Sequence, residues 1–140
     1  MSQINVVGVL KGGLVAGLIM NVSEFVLNVP IAGAQMNQEF AARNLPPVAG
    51  GQVGQFVAIT LVTGILTVWL YAAIRPRFGP GPATAIAAGL IVWSLSYLRF
   101  AITFGILGIH SMGIVVLAIV WSAFEMIVAA SVGGYLYTES

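Results

Sequence analysis

The chain has 140 residues, of which 59% are hydrophobic and only 6% are charged, whereas a soluble domain carries about 25% charged residues. It contains no cysteine, which excludes disulfides, thiolate catalysis and thiolate metal sites, and we expect no metal site or other cofactor. The net charge of +1 comes without a basic cluster, which argues against nucleic acid as a partner.

Four apolar stretches each reach the roughly 20 residues that a membrane-spanning helix requires. They cover residues 4–29, 53–74, 83–107 and 113–137. Since they use almost the whole chain, the sequence predicts one all-α transmembrane domain, residues 1–140, whose four helices form an antiparallel bundle in a lipid bilayer. Ala-Gly-Leu-Ile occurs at residues 16–19 and again at 88–91, which is consistent with a duplicated helical hairpin or with chance in apolar sequence.

The first span places a carboxyl group, that of Glu24, inside an apolar run. Polar and small residues recur around it at helical spacing and form one narrow face: Gly17, Asn21, Glu24 and Asn28. Placing an ionisable group in hydrocarbon costs several kcal/mol unless another group pairs with it or forms hydrogen bonds to it. This face is therefore predicted to point at protein or water, with Asn21 and Asn28 as candidate site residues beside Glu24.

Glycines four residues apart also mark the first span, at Gly8 with Gly12 and at Gly13 with Gly17. This spacing predicts the close approach of another helix, either from the same chain or from a second copy. Lys11 lies among these glycines, and its long stem can carry its charge to the nearer membrane surface.

Residues 30–52 form the one sizeable polar segment, which begins at Pro30. Pro30 is expected to end or kink the first helix because proline has no backbone N–H. Further along, Glu39 and Arg43 stand four residues apart with the acid first, a favourable pair on a helix. We predict an outer loop that contains a short helix lying at the membrane surface.

The second span leads into residues 74–82, which are rich in proline and glycine and predict a stiff, non-helical turn. The turn holds Arg75 and Arg77. By the positive-inside rule these arginines, together with Lys11, place this side of the protein in the cytoplasm. Both termini are then cytoplasmic in an inner (plasma) membrane, and the three basic residues are candidates for topology signals and for contact with anionic lipid.

The third span carries Ser96 and Arg99 on one arc. At ~1.5 Å of rise per residue, Arg99 and Glu24 lie at nearly the same depth, roughly 8 Å below the outer surface. We therefore predict a buried ion pair between Glu24 and Arg99, with Ser96 as a further candidate site residue.

The fourth span contains Glu125 near its middle, which makes it the deepest charge of the chain. His110 lies in the preceding turn, where a solvated histidine is favoured over a metal ligand because no other ligand is spaced to join it. Trp93 and Trp121 lie well within their spans and are expected to make helix contacts rather than to surround a cofactor.

Two segments carry a resemblance to known proteins. Asn-Val-Ser-Glu-Phe-Val-Leu-Asn at residues 21–28 and Tyr-Ala-Ala-Ile-Arg-Pro-Arg-Phe-Gly-Pro-Gly-Pro at residues 71–82 resemble small four-helix integral membrane proteins of bacteria. The resemblance covers most of the chain and implies the same fold. It implies no activity, ligand or site.

Two interpretations of Glu24, Arg99 and Glu125 stay open: a structural network that fixes helix register, or a ligand, proton or ion site. The first function that we expect is the binding or transport of a small polar or amphiphilic solute, proton-linked through Glu125, by a homo-oligomer. The alternative is a non-catalytic accessory or assembly subunit of a larger membrane complex. An enzyme is not expected, because no nucleophile has a base at hand and the chain has no aspartate.

A single structural feature would discriminate between the two functions. A water-accessible cavity that touches Glu24, Arg99 and Glu125 would favour the solute-binding protein. Side chains sealed by packing, with an apolar face covered by another chain, would favour the accessory subunit.

Overall fold

The structure is a computed structural model that describes residues 3–139, and every regular element in that range is helical. The elements are α1 (Val6–Val26), a first π-helical turn (Leu27–Ile31), α2 (Gly33–Ala42), α3 (Gly50–Phe78), α4 (Pro82–Trp93), a second π-helical turn (Ser94–Leu98), α5 (Arg99–Ile106) and α6 (Met112–Leu136). Four continuous helical runs are long and apolar enough to cross a membrane, namely Val6–Ile31, Gly50–Phe78, Pro82–Ile106 and Met112–Leu136. The predicted all-helical fold with four such helices is confirmed.

The helix boundaries follow from local sequence. Asn5 caps α1, because its side-chain oxygen accepts a hydrogen bond from the backbone N–H of Gly8 at 3.1 Å. Pro82 occupies the first turn of α4, where a missing N–H leaves no bond unmade. Gly79 ends α3 with a φ of 86°, a left-handed conformation that favours glycine.

The prediction of a non-helical turn over residues 74–82 is wrong for its first half, because α3 continues through Pro76 to Phe78. A proline removes one hydrogen bond from a helix, and here it lies within the last turn, where little helix remains to be broken. The change of direction is made instead by Gly79 and Gly81, both of which have positive φ.

The four long helices pack so that each contacts its neighbour in sequence, and α1 also contacts α6. Glycines set the closest approaches. A Cβ atom built on Gly17 would lie 2.8 Å from the Cα of Leu61, and one built on Gly13 would lie 2.5 Å from the Cα of Ile65. Successive glycines of α1 therefore meet earlier and earlier residues of α3, and the glycine spacing of the first span is used for packing within the chain.

The interior of the bundle is filled by small and flexible side chains. Met20 and Met126 have no exposed surface, and Ala16, Ala88 and Ala129 are likewise fully buried. Small residues allow helices to approach closely in a membrane, where packing rather than the hydrophobic effect drives helix association.

The first and the last part of the described chain, around Asn5 and around Thr138, meet at one end of the bundle. The side-chain amide of Asn5 donates to the backbone oxygen of Thr138 at 2.9 Å, and the backbone N–H of Asn5 donates to the hydroxyl of Tyr137 at 3.2 Å. Arg75, next to the turn between α3 and α4, lies 3.8 Å from the carboxylate of Glu139. We call this the terminal end, and we call the opposite end, which carries α2 and the turn between α5 and α6, the α2 end.

Candidate functional site

Two carboxyl groups from different helices meet inside the bundle. Glu24 comes from the last turns of α1 and Glu125 from the middle of α6, and the two groups lie close enough for their charges to interact. Glu125 is only 5% exposed, while Glu24 is partly buried. We call Glu24 and Glu125 the carboxyl pair.

The two members of the carboxyl pair differ in their hydrogen bonds. The side-chain amide of Asn28 donates to the Glu24 carboxyl group at 2.6 Å and also to the Glu24 backbone oxygen at 2.8 Å. No hydrogen bond of ordinary length reaches either carboxyl oxygen of Glu125 from the residues that the structure describes, although the hydroxyl groups of Ser23 and Tyr97 lie beside this side chain. A buried polar group without a partner costs about 1–3 kcal/mol, and more when it is charged.

Tyr97 completes the site and was missed from sequence. It belongs to the second π-helical turn, and its side chain lies beside both carboxyl groups and beside Thr60 of α3. Ser23 of α1 also lies beside Glu125. Two hydroxyl groups, those of Tyr97 and Ser23, therefore lie beside the carboxyl pair, and with Thr60 each of the four spans contributes a side chain.

Both π-helical turns lie at this site, and each has a local cause. In the first, Pro30 lacks the N–H of a regular helix, and the backbone N–H of Ala32 instead reaches the oxygen of Leu27 at 2.8 Å, five residues back. In the second, the hydroxyl groups of Ser94 and Ser96 bond to backbone oxygens of the preceding turn at 2.8 and 2.7 Å. Such turns are often found at functional sites.

The two tryptophans beside the site are fixed by serines. The indole N–H of Trp121 donates to the hydroxyl of Ser23 at 2.9 Å, which links α6 to α1. The indole N–H of Trp93 donates to the hydroxyl of Ser122 at 2.9 Å, which links α4 to α6. These contacts hold the three helices around the carboxyl pair.

The predicted ion pair between Glu24 and Arg99 is wrong. In the part of the chain that the structure describes, the contacts between acidic and basic side chains join Arg75 to Glu139 and His110 to Glu39, and Arg99 is exposed. The physical reason is the second π-helical turn, which adds a residue before Arg99. One added residue rotates the following helix by ~100°, so Tyr97 faces the carboxyl pair and Arg99 faces away.

The remaining candidate residues form hydrogen bonds to backbone. Asn21 donates to the backbone oxygens of Gly17 at 3.0 Å and Val57 at 3.3 Å, and thereby links α1 to α3. Ser96 donates to the backbone of its own helix. Of the predicted candidates, the structure therefore gathers Glu24, Glu125 and Asn28.

The basic residues of the terminal end lie far from the carboxyl pair. The guanidinium carbon of Arg75 is 5.6 Å from the ring centre of Tyr137 and 6.0 Å from that of Tyr71, close enough for cation–π attraction. Arg77 and Lys11 are exposed. All three remain candidates for topology signals and lipid contacts.

A third acid, Glu39 of α2, has a different environment at the α2 end. Its carboxylate accepts hydrogen bonds from His110 Nδ1 at 2.8 Å and from the Gln35 amide and the Ser111 backbone N–H at 3.2 Å each. Burial alone would raise the pKa of Glu39, but these hydrogen bonds outweigh it and lower the pKa to about 2. We call these four residues the Glu39 cluster.

The Glu39 cluster corrects two expectations from sequence. His110 is not solvated, because its side chain is only 9% exposed and stacks on the ring of Phe40. Arg43 does not pair with the Glu39 carboxylate, but donates to the Glu39 and Gly108 backbone oxygens. Both changes arise because the turn before α6 comes close to α2, a contact between residues about 70 positions apart that helical spacing does not show.

Two surface hollows accompany these sites. One, of about 510 Å³, lies against α1 and is lined by Leu18, Ile19, Val22, Ser23, Val26 and Trp121. The other, of about 240 Å³, lies at the terminal end and includes Tyr137 and Glu139 in its lining. Neither hollow is lined by Glu24, Arg99 or Glu125, so neither is the cavity that was expected to favour a solute-binding protein. The first hollow does include Ser23, the neighbour of Glu24 in sequence.

Within residues 3–139, no three His, Asp or Glu side chains lie together in a way that could hold a metal ion. Comparison of the chain with protein-family models, with curated proteins and with solved structures gives no significant match.

Proposed function

We propose that this chain is an integral membrane protein that binds a small cationic solute at the carboxyl pair, releases a proton in exchange, and carries the solute across the membrane. The observation that supports the proposal most strongly is Glu125, a carboxyl group that is 5% exposed and whose two oxygens have no hydrogen-bond partner among the described residues. An ionisable side chain within a span marks a functional site by default.

The composition of the site favours a cation over an anion. Two carboxyl groups lie beside the same residue, Tyr97, and the expected arginine is exposed. The other neighbours, Thr60 and Ser23, are neutral. Two adjacent carboxylates repel each other, and a proton or another cation between them removes that repulsion. Proton and solute would therefore compete for the same place, which is what an exchange requires.

The proposal includes an arrangement in the membrane. The four spans form an antiparallel bundle with both termini in the cytoplasm of a cell whose inner (plasma) membrane holds the protein. Support comes from Arg77 and Lys11, exposed basic residues in the half of the bundle where Asn5 contacts Thr138. In this orientation the α2 end is outside.

The proposal also includes duplication of a helical hairpin. The first span and the third span each contain one π-helical turn in their second half, at Leu27–Ile31 and Ser94–Leu98. Two hairpins derived from one ancestor would share such a feature, and each would supply one of these turns to the site. A single bundle offers a thin wall around a transport path, so we expect a homo-oligomer.

The test is proton release by the purified protein in weakly buffered detergent solution, reported by a pH-sensitive dye. Four cations are added in turn: Na⁺, K⁺, tetramethylammonium and tetraphenylphosphonium. We expect at least one of them to release a proton from the wild type and not from Glu125→Gln. Glu139→Gln is the matched control, since Glu139 is an acid outside the spans. Wild type and Glu125→Gln giving the same signal with all four cations would overturn the proposal.

A second candidate function is an accessory subunit of a larger membrane complex, and one observation favours it. Arg99 is exposed on the third span, where a guanidinium group facing lipid is costly unless an acid of another chain or a headgroup receives it. Gentle extraction and native mass spectrometry would test this function. A bound foreign chain that is retained by the wild type and lost in Arg99→Gln would support it, and isolation of the chain alone or as a homo-oligomer would contradict it.

A further inference from the structure

The apolar hollow against α1 shares one lining residue, Ser23, with the surroundings of the carboxyl pair. It has a volume of about 510 Å³, within the range of about 300–1,000 Å³ that is usual for ligand pockets. Its lining side chains on α1 include Leu18, Val22 and Val26, which are exposed on the outward surface of the bundle. We call this hollow the α1–α6 groove. In a membrane it would be open to lipid.

The inner wall of the α1–α6 groove is shared with the site. Trp121 and Ser23 both line the groove, and the Trp121 indole N–H donates to the Ser23 hydroxyl at 2.9 Å. Ser23 lies beside Glu125 on its other side. The Ser23 hydroxyl therefore connects the wall of the apolar groove with the surroundings of the buried Glu125 carboxyl group.

We propose that the solute is a lipophilic organic cation, which lies in the α1–α6 groove and directs its positive charge to the carboxyl pair. This inference rests on the proposed function and names its substrate class. The cation would enter sideways from the membrane rather than from water. For each monovalent cation that binds, one proton leaves the carboxyl pair for the solution, so the charge of the protein with its ligand is unchanged.

The chemistry of the two surfaces selects this class of ligand. The groove offers apolar contacts almost alone, and these stabilise hydrocarbon or aromatic groups but give nothing to a hydrated inorganic ion. The carboxyl pair offers negative charge in a poorly hydrated place, which attracts a cation that has little hydration to lose. Trp121 lines the groove and donates to Ser23, and the face of an indole ring attracts a diffuse positive charge.

The experiment measures the binding of tetraphenylphosphonium to the purified protein in detergent by equilibrium dialysis. Val22→Trp fills the groove and leaves both carboxyl groups in place. Val62→Trp is the matched control, because Val62 is 54% exposed on α3 while Val22 is 58% exposed on α1. We expect Val22→Trp to weaken binding at least about tenfold, which corresponds to about 1.4 kcal/mol, and Val62→Trp to bind like the wild type.

Val22→Phe is a smaller filling substitution that serves if Val22→Trp does not give a monodisperse protein, and we expect it to weaken binding as well. Equal binding by the wild type and the Val22 variant that folds would overturn the inference, as would an absence of binding to the wild type. Proton release by Na⁺, K⁺ or tetramethylammonium, but not by tetraphenylphosphonium, would also overturn it while the proposed exchange function stands. The absence of release with all four cations would overturn both.

Discussion

Two acids of this chain, Glu39 and Glu125, are both shielded from solvent but have opposite surroundings. The Glu39 side chain is 11% exposed and accepts hydrogen bonds from three residues, His110, Gln35 and Ser111. Glu125 is 5% exposed, and neither of its oxygens has a hydrogen-bond partner among the described residues. A carboxylate with all its partners in place holds two segments together. A carboxyl group without such partners keeps its acceptor oxygens free for a ligand that binds reversibly.

The segments around the two acids also differ in where they direct their hydrogen-bond donors. At the α2 end, short polar segments bring donors to Glu39 from α2 and from the turn before α6. Around Glu125, helices are locally distorted into π-helical turns, and the nearby donors, Trp121 and Trp93, are directed at serines instead. Both indole N–H groups are thus used away from Glu125, and the hydroxyl groups of Ser23 and Tyr97 are the donors left beside it.

The largest expected effect is on ligand exchange. In Glu125→Gln the carboxyl pair loses one charge, so binding of tetraphenylphosphonium should weaken at least about tenfold, or about 1.4 kcal/mol. The free energy of unfolding in detergent should stay equal or rise, because an unpaired buried acid is replaced by a neutral group. Dialysis and denaturant unfolding measure the two quantities. A fall in stability with unchanged binding would make Glu125 a structural residue like Glu39.

The opposite pattern is expected for Glu39→Gln. The variant keeps one acceptor oxygen but places an NH₂ group against donors, so the free energy of unfolding should fall by about 1–3 kcal/mol. Binding of tetraphenylphosphonium should not change. The control is Glu139→Gln, because the Glu139 carboxylate lies 3.8 Å from Arg75 and is more exposed than that of Glu39. This substitution should lower the free energy of unfolding by less than about 1 kcal/mol. A loss of tetraphenylphosphonium binding in Glu39→Gln would contradict this expectation and give Glu39 a part in ligand binding.

The membrane character of the chain can be predicted from sequence, whereas half of the site cannot. Hydropathy is a property of consecutive residues, which is why four apolar runs are visible without a structure. Glu24 and Glu125 are visible for the same reason, since a carboxyl group within such a run stands out. Which side chains of a helix face its neighbours depends on every residue before them. A prediction of that face therefore fails when one residue is added to a turn.

Arg99 and Tyr97 show this loss directly. Regular spacing of 3.6 residues placed Ser96 and Arg99 on the inner face, but the π-helical turn at Ser94–Leu98 gives that place to Tyr97. Ser94 and Ser96 cause the distortion through bonds to the backbone, yet serines within spans are common and usually leave a helix regular. The contact of His110 with Glu39 joins residues 71 positions apart, and one sequence carries no signal for it.

Low pH should destabilise the surroundings of Glu39, and this smaller effect should be confined to the α2 end. The pKa of Glu39 is about 2 in the folded protein against an ordinary 4.5, so the folded state binds fewer protons between these values. Its stabilisation is therefore complete above about pH 4.5 and is lost as the pH falls toward 2. Hydrogen exchange of the α2 amides should accelerate over this range in the wild type. In Glu39→Gln the acceleration should be absent, and an unchanged acid response there would assign it to another group.

The smallest effect compares the two tryptophans that flank the site. Trp121→Phe and Trp93→Phe each remove one indole N–H bond to a serine, so each should lower the free energy of unfolding by about 0.5–1.5 kcal/mol. Of these two tryptophans, Trp121 lines the α1–α6 groove and Trp93 does not. Because phenylalanine attracts a cation less strongly than tryptophan, Trp121→Phe should weaken tetraphenylphosphonium binding about twofold to fivefold, while Trp93→Phe leaves it unchanged. Equal binding by the two variants would place the ligand elsewhere, whereas equal stability losses with unequal binding would separate holding the helices together from contacting the ligand.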